Sequence, residues 1–339
     1  MLQHAISEEI FWEGIRLYVY NTEPNYGSLQ RAILIAIAEQ QTNTNQVYKP
    51  DILGVVQAME TWPEQKHYPI IKIIRDYNDP MNSINITIQN FNTSKYYCIP
   101  ISFTTQKYPN FDNTSAQIWL NKIPYYSFEL SFKEDGWMIF NIQQTGYYRV
   151  NYDDENWRRI SNYLNLENYM NIHVLNRAQL IDDAFHFMLA RQLNSSIFWN
   201  LVSYLERETD YVAWYPMLKA LEYISSVFPL PEKNVDVIKT KVRNMLKTLL
   251  IKLGHDTVFD VLKISLREEA AKWACILNDL FCKQEANYIL KQHLEKPEEH
   301  KVLPWWKEWT YCRGLMISSK SDGSWEKLYN MGMKKSDTK

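Results

Sequence analysis

Apolar positions change their spacing twice along the 339 residues. From Met1 to about Gln65 they recur at helical intervals, which predicts helices over 8–19, 28–41 and 50–62. Ser7 is placed to cap the first, with Glu8 and Glu9 well positioned against its dipole, and Pro24 and Gly27 punctuate the first connection. After His67-Tyr68-Pro69 the period falls to two. Ile84, Ile86 and Ile88 alternate with polar residues, as do Tyr126, Phe128, Leu130 and Phe132, and Tyr148, Val150 and Tyr152 alternate with Arg149 and Asn151. Turn pairs such as Asp79-Pro80, Pro109-Asn110 and Asp135-Gly136 separate these runs, predicting a small antiparallel β-sandwich. From about Asp153 the helical period returns. Val235, Ile238, Val242, Met245, Leu246, Leu249 and Leu253 form one apolar stripe that Gly254 stops, and Pro216 fits the first turn of a helix beginning near Trp214.

Length and charge narrow the function classes. A chain of 40.5 kDa accommodates two or three domains. Lys+Arg 37 against Asp+Glu 39 gives a formal charge of −2, without the basic excess of a nucleic-acid binder. The glycines stand at 14, 27, 54, 136, 146, 254, 314, 323 and 332, so neither a phosphate-binding P-loop nor a dinucleotide fingerprint can be built. The first residues carry no basic segment followed by an apolar run, as a signal peptide would, and Ala32–Ala38 is too short to span a bilayer. Read literally, that describes a cytosolic soluble protein.

Catalytic chemistry is not evident in the residues. The histidines (His4, His67, His173, His186, His255, His293 and His300) form no i,i+4 pair and no His-Glu-x-x-His, and Gly-x-Ser-x-Gly is absent. Asp182-Asp183 resembles a catalytic carboxylate pair, but helical neighbours diverge by about 100° and do not share a target, which favours capping or a solvated surface. The Lys/Arg side of the helix at 233–252 invites a membrane or calmodulin reading, and Trp305, Trp306 and Trp309 a stacking one; a solvated helix face and packing are preferred. Cys98, Cys275, Cys282 and Cys312 contain no CxxC. In one straight helix Cys275 and Cys282 would lie ~10 Å apart, out of disulfide reach unless the helix breaks near Asn278-Asp279. Asn-x-Ser/Thr sequons at Asn85, Asn92, Asn113 and Asn194 are candidate N-glycosylation sites, though an Asn-rich chain produces about that many by chance.

Four blocks carry a more specific pattern: Val55–Ile73 (VVQAMETWPEQKHYPIIKI), Gly146–Trp157 (GYYRVNYDDENW), Asn176–Ala184 (NRAQLIDDA) and Glu208–Trp214 (ETDYVAW). Together they resemble the aminopeptidase N family of zinc gluzincin metallopeptidases, including the endoplasmic-reticulum aminopeptidases, from Met1 to about Tyr329, nearest to the extracellular animal and insect-like branch. The resemblance implies an α+β multidomain chain. Residues 1–66 would be a helical remnant of a thermolysin-like catalytic domain, 67–152 the small β-sandwich, and 153–339 the start of an all-α, helical-repeat-like C-terminal domain. His67 and Ile70 around Tyr68-Pro69 depart modestly from the family's Gly-Tyr-Pro-Val.

The larger departure is chemical. The family's Gly-x-Met-Glu-Asn exopeptidase motif, its His-Glu-x-x-His with a downstream Glu ligand, and its transition-state Tyr do not occur here. By the resemblance they would lie upstream of Met1, leaving no catalytic residue, no metal ligand and no bound cofactor in this chain, with zinc belonging to the complete enzyme. The resemblance also pairs Cys275 with Cys282 and makes Cys312 half of a second disulfide whose partner would lie past Lys339. The expected role is to support the catalytic domain and wall the peptide chamber, with peptides as partners through the parent enzyme and the upstream catalytic domain as the missing neighbour. The expected location is extracellular or plasma-membrane-associated. Two other readings are a stand-alone peptide- or protein-binding relative without catalysis, and a complete enzyme whose start is not Met1.

Overall fold

The computed structural model describes residues 2–20, 25–44, 67–79, 82–89, 98–121, 125–130, 132, 135–227, 236–254, 260–318 and 322–336. The helix predicted over 50–62 and Asn92 lie outside them. The chain divides into two compact units, Met1–Val202 and Ser203–Lys339.

The first unit opens with helices α1 (Leu2–Ala5), α2 (Glu8–Val19) and α3 (Tyr26–Thr44). Ser7 caps α2 through its hydroxyl, which accepts from the Ile10 N–H at 3.3 Å. Ile6, Ile10, Ile33, Ala36 and Ile37 form the core between these helices. Gly14 permits the close approach of α2 to α3: a Cβ there would meet Ile33 Cγ1 at 2.7 Å and its Cα at 3.1 Å.

Among the described residues eight strands follow: β1 (Ile70–Arg75), β2 (Ser83–Gln89), β3 (Cys98–Ile101), β4 (Phe103–Thr105), β5 (Ile118–Asn121), β6 (Tyr125–Glu129), β7 (Met138–Phe140) and β8 (Arg149–Tyr152). They form a four-stranded sheet in the order β6-β2-β1-β8 and two-stranded pairs β3-β5 and β4-β7. Ile71, Ile73, Ile84, Ile86 and Val150 are all buried, the period-two pattern appearing as a covered face. Two features depart from the expectation of an antiparallel, one-face-wet arrangement. β8 pairs parallel to β1, with Ile71 opposite Val150. Asn151, read as outward, is buried and accepts from Trp157 Nε1 at 3.1 Å. The following helices α4 (Asp154–Leu164) and α5 (Val174–Leu189) pack against β8 and bury Asn151, and α6 (Ser195–Leu201) packs on those two helices.

The second unit is helical: α7 (Tyr211–Val227), α8 (Asp236–Leu253), α9 (Val261–Ile276), α10 (Leu280–Glu295) and α11 (Ser324–Ser336), with a π-helical turn at Trp309–Arg313. Val242, Met245, Leu246 and Leu249 of α8 are buried as the stripe requires, and Gly254 ends the helix at φ 59°. Pro216 is the exception. It sits inside α7 and not in its first turn, because the helix starts earlier than the sequence signal suggested, with the Asp210 carboxylate accepting from the Val212 N–H at 2.8 Å. No helix among the described residues is long and apolar enough to cross a membrane.

Candidate functional site

Residues of the second and third blocks, with Tyr68 of the first, converge on one polar joint in the first unit, where β7, β8, α4 and α5 meet. Asp153 caps α4 by accepting from the Asn156 N–H at 2.8 Å, and the same carboxylate accepts from the Arg75 N–H at 3.1 Å and the Tyr77 hydroxyl at 2.9 Å. Asn156 then turns its amide onto β7 like one more strand residue, accepting from Met138 N at 2.9 Å and donating to Met138 O at 2.8 Å. Tyr152, also buried, accepts from the Phe140 N–H at 2.9 Å, and burial holds its phenol far above the ordinary range.

Beside this lies a backbone segment in a costly conformation. Asn141, Gln143 and Gln144 all have positive φ, at 63°, 52° and 56°. Side chains over-determine it. Asn176 accepts from Gln143 N at 2.8 Å and donates to Asn141 O at 2.9 Å, while Ser102 Oγ accepts from Ile142 N at 2.9 Å. Asn141 in turn receives Gly146 N at 2.8 Å and donates to Tyr148 O at 3.1 Å. Asn176, which opens the third block, is therefore a clamp on the turn before β8.

Arg149 and the two aspartates complete the joint. Arg149 Nη1 reaches Asp182 Oδ2 at 2.5 Å and Asp183 Oδ1 at 2.8 Å. This corrects the expectation that Asp182 and Asp183 share no target. The long guanidinium arm crosses from the neighbouring strand and spans the divergence between them. Asp183 is buried, receives Val150 N at 3.1 Å, and has its carboxyl pushed up to about 7, burial outweighing the Arg149 charge and the Val150 N–H that pull it down. Tyr68 lies over the guanidinium at 5.0 Å and meets the rings of Tyr147 and His186 edge-on; burial first, then Arg149, lowers the His186 pKa. The fourth block makes a smaller device in the second unit. Glu208 Oε1 accepts from the N–H groups of Thr209 and Asp210 at 2.9 Å each, and Glu208 O receives Trp214 Nε1 at 3.0 Å.

These contacts position backbone; they do not assemble a hydrolytic centre. No group of three His, Cys, Asp or Glu side chains among the described residues is arranged to hold a metal. His293 has both ring nitrogens engaged, by His300 O at 2.7 Å and the Tyr311 hydroxyl at 3.1 Å. His173 Nδ1 accepts from the Leu175 N–H, and His4 meets Thr114 Oγ1. His255 lies outside the described residues. Among the described residues, these donors do not converge on a zinc site.

The remaining site residues are placed individually. Cys275 and Cys282 are disulfide-bonded, with Cα atoms 5.5 Å apart. They meet because the helix breaks between α9 and α10, where Asn278 adopts φ 69° and Asp279 caps α10 by accepting from Cys282 N at 2.8 Å. Cys98 is buried in β3, while Cys312 is exposed. Of the sequons, Asn113 is an exposed loop residue whose side chain receives Ser115 N, and Asn194 caps α6. Asn85 lies on β2, its amide oxygen accepting from the Tyr125 hydroxyl at 2.6 Å. Trp309 is buried; Trp305 is exposed, and Trp306 packs edge-on to Trp309 with Arg267 over its ring.

Comparison with known proteins agrees with this pattern. Residues 137–339 match the ERAP1-like C-terminal domain. The membrane alanyl aminopeptidase of Heliothis virescens is 28% identical over 327 residues, covering 93% of this chain and 32% of its own. The aminopeptidase N of Plutella xylostella is 30% identical over 237 residues, 67% of this chain and 24% of its own. The human thyrotropin-releasing hormone-degrading ectoenzyme is 27% identical over 353 residues, 97% of this chain and 32% of its own. The chain thus spans about a third or less of the length of these relatives. With the ERAP1-like domain covering more than half of it, the chain belongs to the aminopeptidase N family.

Proposed function

We propose that this chain supplies the non-catalytic C-terminal portion of an aminopeptidase N-like zinc metallopeptidase, supporting the catalytic domain and walling the chamber that receives peptides. The observation that carries this reading is the match of 137–339 to an ERAP1-like C-terminal domain, combined with the positioning roles of the described residues of the second, third and fourth blocks. Metalloaminopeptidase chemistry needs a metal-activated water, a carboxylate base and an acidic anchor for the substrate ammonium. The polar joint offers no such arrangement: Asp182 and Asp183 are committed to Arg149, Asp153 to capping. In the complete enzyme, zinc would supply water activation from ligands outside these residues, and residues 67–152 would form the sandwich against which α2 and α3 continue the catalytic domain.

The relatives' names support an extracellular or plasma-membrane-associated setting, one being a membrane aminopeptidase and another an ectoenzyme. That setting suits the Cys275–Cys282 disulfide and makes exposed Asn113 and Asn194 the favoured glycosylation sites. Equilibrium dialysis of the purified chain against zinc tests the division of labour. We expect occupancy well below one ion per chain, whereas a stoichiometric, chelator-removable ion would refute it.

A further inference from the structure

A concavity of about 420 Å³ in the second unit is lined by Lys239 of α8, Lys283 of α10 and Arg313 of the π-helical turn, together with Cys275, Ile276, Leu277, Asn278 and Met316. Three cations from three separate elements face one space, and among the described residues no carboxylate lines it. Like charges gathered in a partly dry concavity repel unless a counter-charge joins them.

The usual structural explanations are absent here. Cations commonly gather at a helix C-terminus to satisfy its last carbonyls. At the end of α9 the backbone already does so: Leu277 N donates to Trp273 O at 2.9 Å, Asn278 N to Cys275 O at 3.1 Å and Asp279 N to Ala274 O at 2.9 Å. Asp279, the nearest acid in sequence, is engaged in capping α10. Among the described residues neither Lys239, Lys283 nor Arg313 forms an ion pair. Lys283 Nζ donates to the neutral Asn278 Oδ1 at 2.5 Å, and Arg313 Nη1 rests 3.7 Å from the Met316 sulfur, a weak acceptor.

We propose that this concavity is a binding site for a phosphate-class dianion. Arg313 offers a planar fork for two oxygens, and the two lysines add point charges from other directions. The volume exceeds that of a bare phosphate and falls in the range of small-molecule sites, while Ile276, Leu277 and Met316 give it apolar walls. A phosphomonoester with an apolar body fits that lining.

The test is calorimetric titration of the full 339-residue chain with inorganic phosphate and with phenyl phosphate, at constant ionic strength set by sodium chloride. Saturable one-site binding is expected. Arg313→Gln and Lys239→Gln should each weaken it about tenfold, the loss of one charge-assisted contact. Lys247→Gln, an exposed cation of α8 outside the concavity, should leave binding and folding unchanged. Tighter phenyl phosphate would assign the site to an ester and equal affinity to phosphate itself, both within the proposal. Heats that follow ionic strength alone, or equal affinity in wild type, Arg313→Gln and Lys239→Gln, would overturn it.

Discussion

Asp183 illustrates how one side chain can be both anchor and liability. Its carboxylate receives the Val150 N–H and the Arg149 guanidinium, yet burial pushes its carboxyl from 3.8 to about 7. A pKa raised on folding means the protonated form suits the native state better. Its contribution is therefore full below about pH 3.8 and is lost as pH rises through about 7. Asp183→Asn removes that titration. Measured by thermal unfolding from pH 4 to 8, the variant should gain on wild type with rising pH by at least about 1 kcal/mol. Parallel pH curves would show that Arg149 keeps Asp183 ionised throughout. Little of this was legible in the sequence. The pair Asp182-Asp183 was visible, but its target is Arg149, more than thirty residues away, and nothing in a local period reports such a partner. Asn156 and Asn176 escaped for the same reason, their amides pairing with backbone of distant segments, while the Asn141 amide folds back on the turn at Gly146 and Tyr148. Their membership of the Gly-Tyr-Tyr-Arg and Asn-Arg-Ala-Gln blocks or nearness to them was the only available signal.

At the level of elements, local signals performed best where a helix writes its own limits. The segment predicted over 8–19 is α2, its Ser7 cap included, and the α8 stripe stops at Gly254. β2, β6 and β8 were visible as alternation, whereas β1, β3, β4, β5 and β7 were not singled out; nor was the parallel partnership of β1 and β8, because two-residue periodicity marks a covered face without naming the neighbouring strand. The α9–α10 hairpin shows local and long-range determinants working together. Asn278 turns the chain in the left-handed region, Asp279 restarts it, and the disulfide closes the short loop. Gly314 lets the π-helical turn press against α10, since a Cβ there would stand 2.7 Å from Ala286 O. Replacing both Cys275 and Cys282 with alanine should cost about 2 kcal/mol, the chain-entropy value for so short a loop. Reducing agent should lower the wild-type melting temperature toward that of the variant and leave the variant unmoved. An unchanged melting temperature on reduction would mean that Asn278 and Asp279 suffice to hold the hairpin.

For the whole molecule, each described block of the family pattern serves to join elements: Asp153 ties β1 to α4, Asn176 clamps the turn before β8, and Glu208 sets the start of α7. A sequence pattern this specific can therefore mark architecture without marking chemistry. Trp12, Val19, Tyr20, Leu34 and Ile35, on α2 and α3 and just after α2, are exposed apolar residues, and under the proposed function the catalytic domain would cover them. Family membership was legible from sequence because the joint residues cluster in short blocks, whereas the cationic concavity was not, its three charges coming from α8, α10 and the π-helical turn. Aminopeptidase activity of the purified chain decides the functional question. Alanine p-nitroanilide and short peptides should be incubated with the chain, with added zinc, and again after chelation. We expect no release of N-terminal residues above the buffer blank under any condition. Zinc-dependent, chelator-sensitive release by the chain alone would show that it carries a catalytic centre of its own.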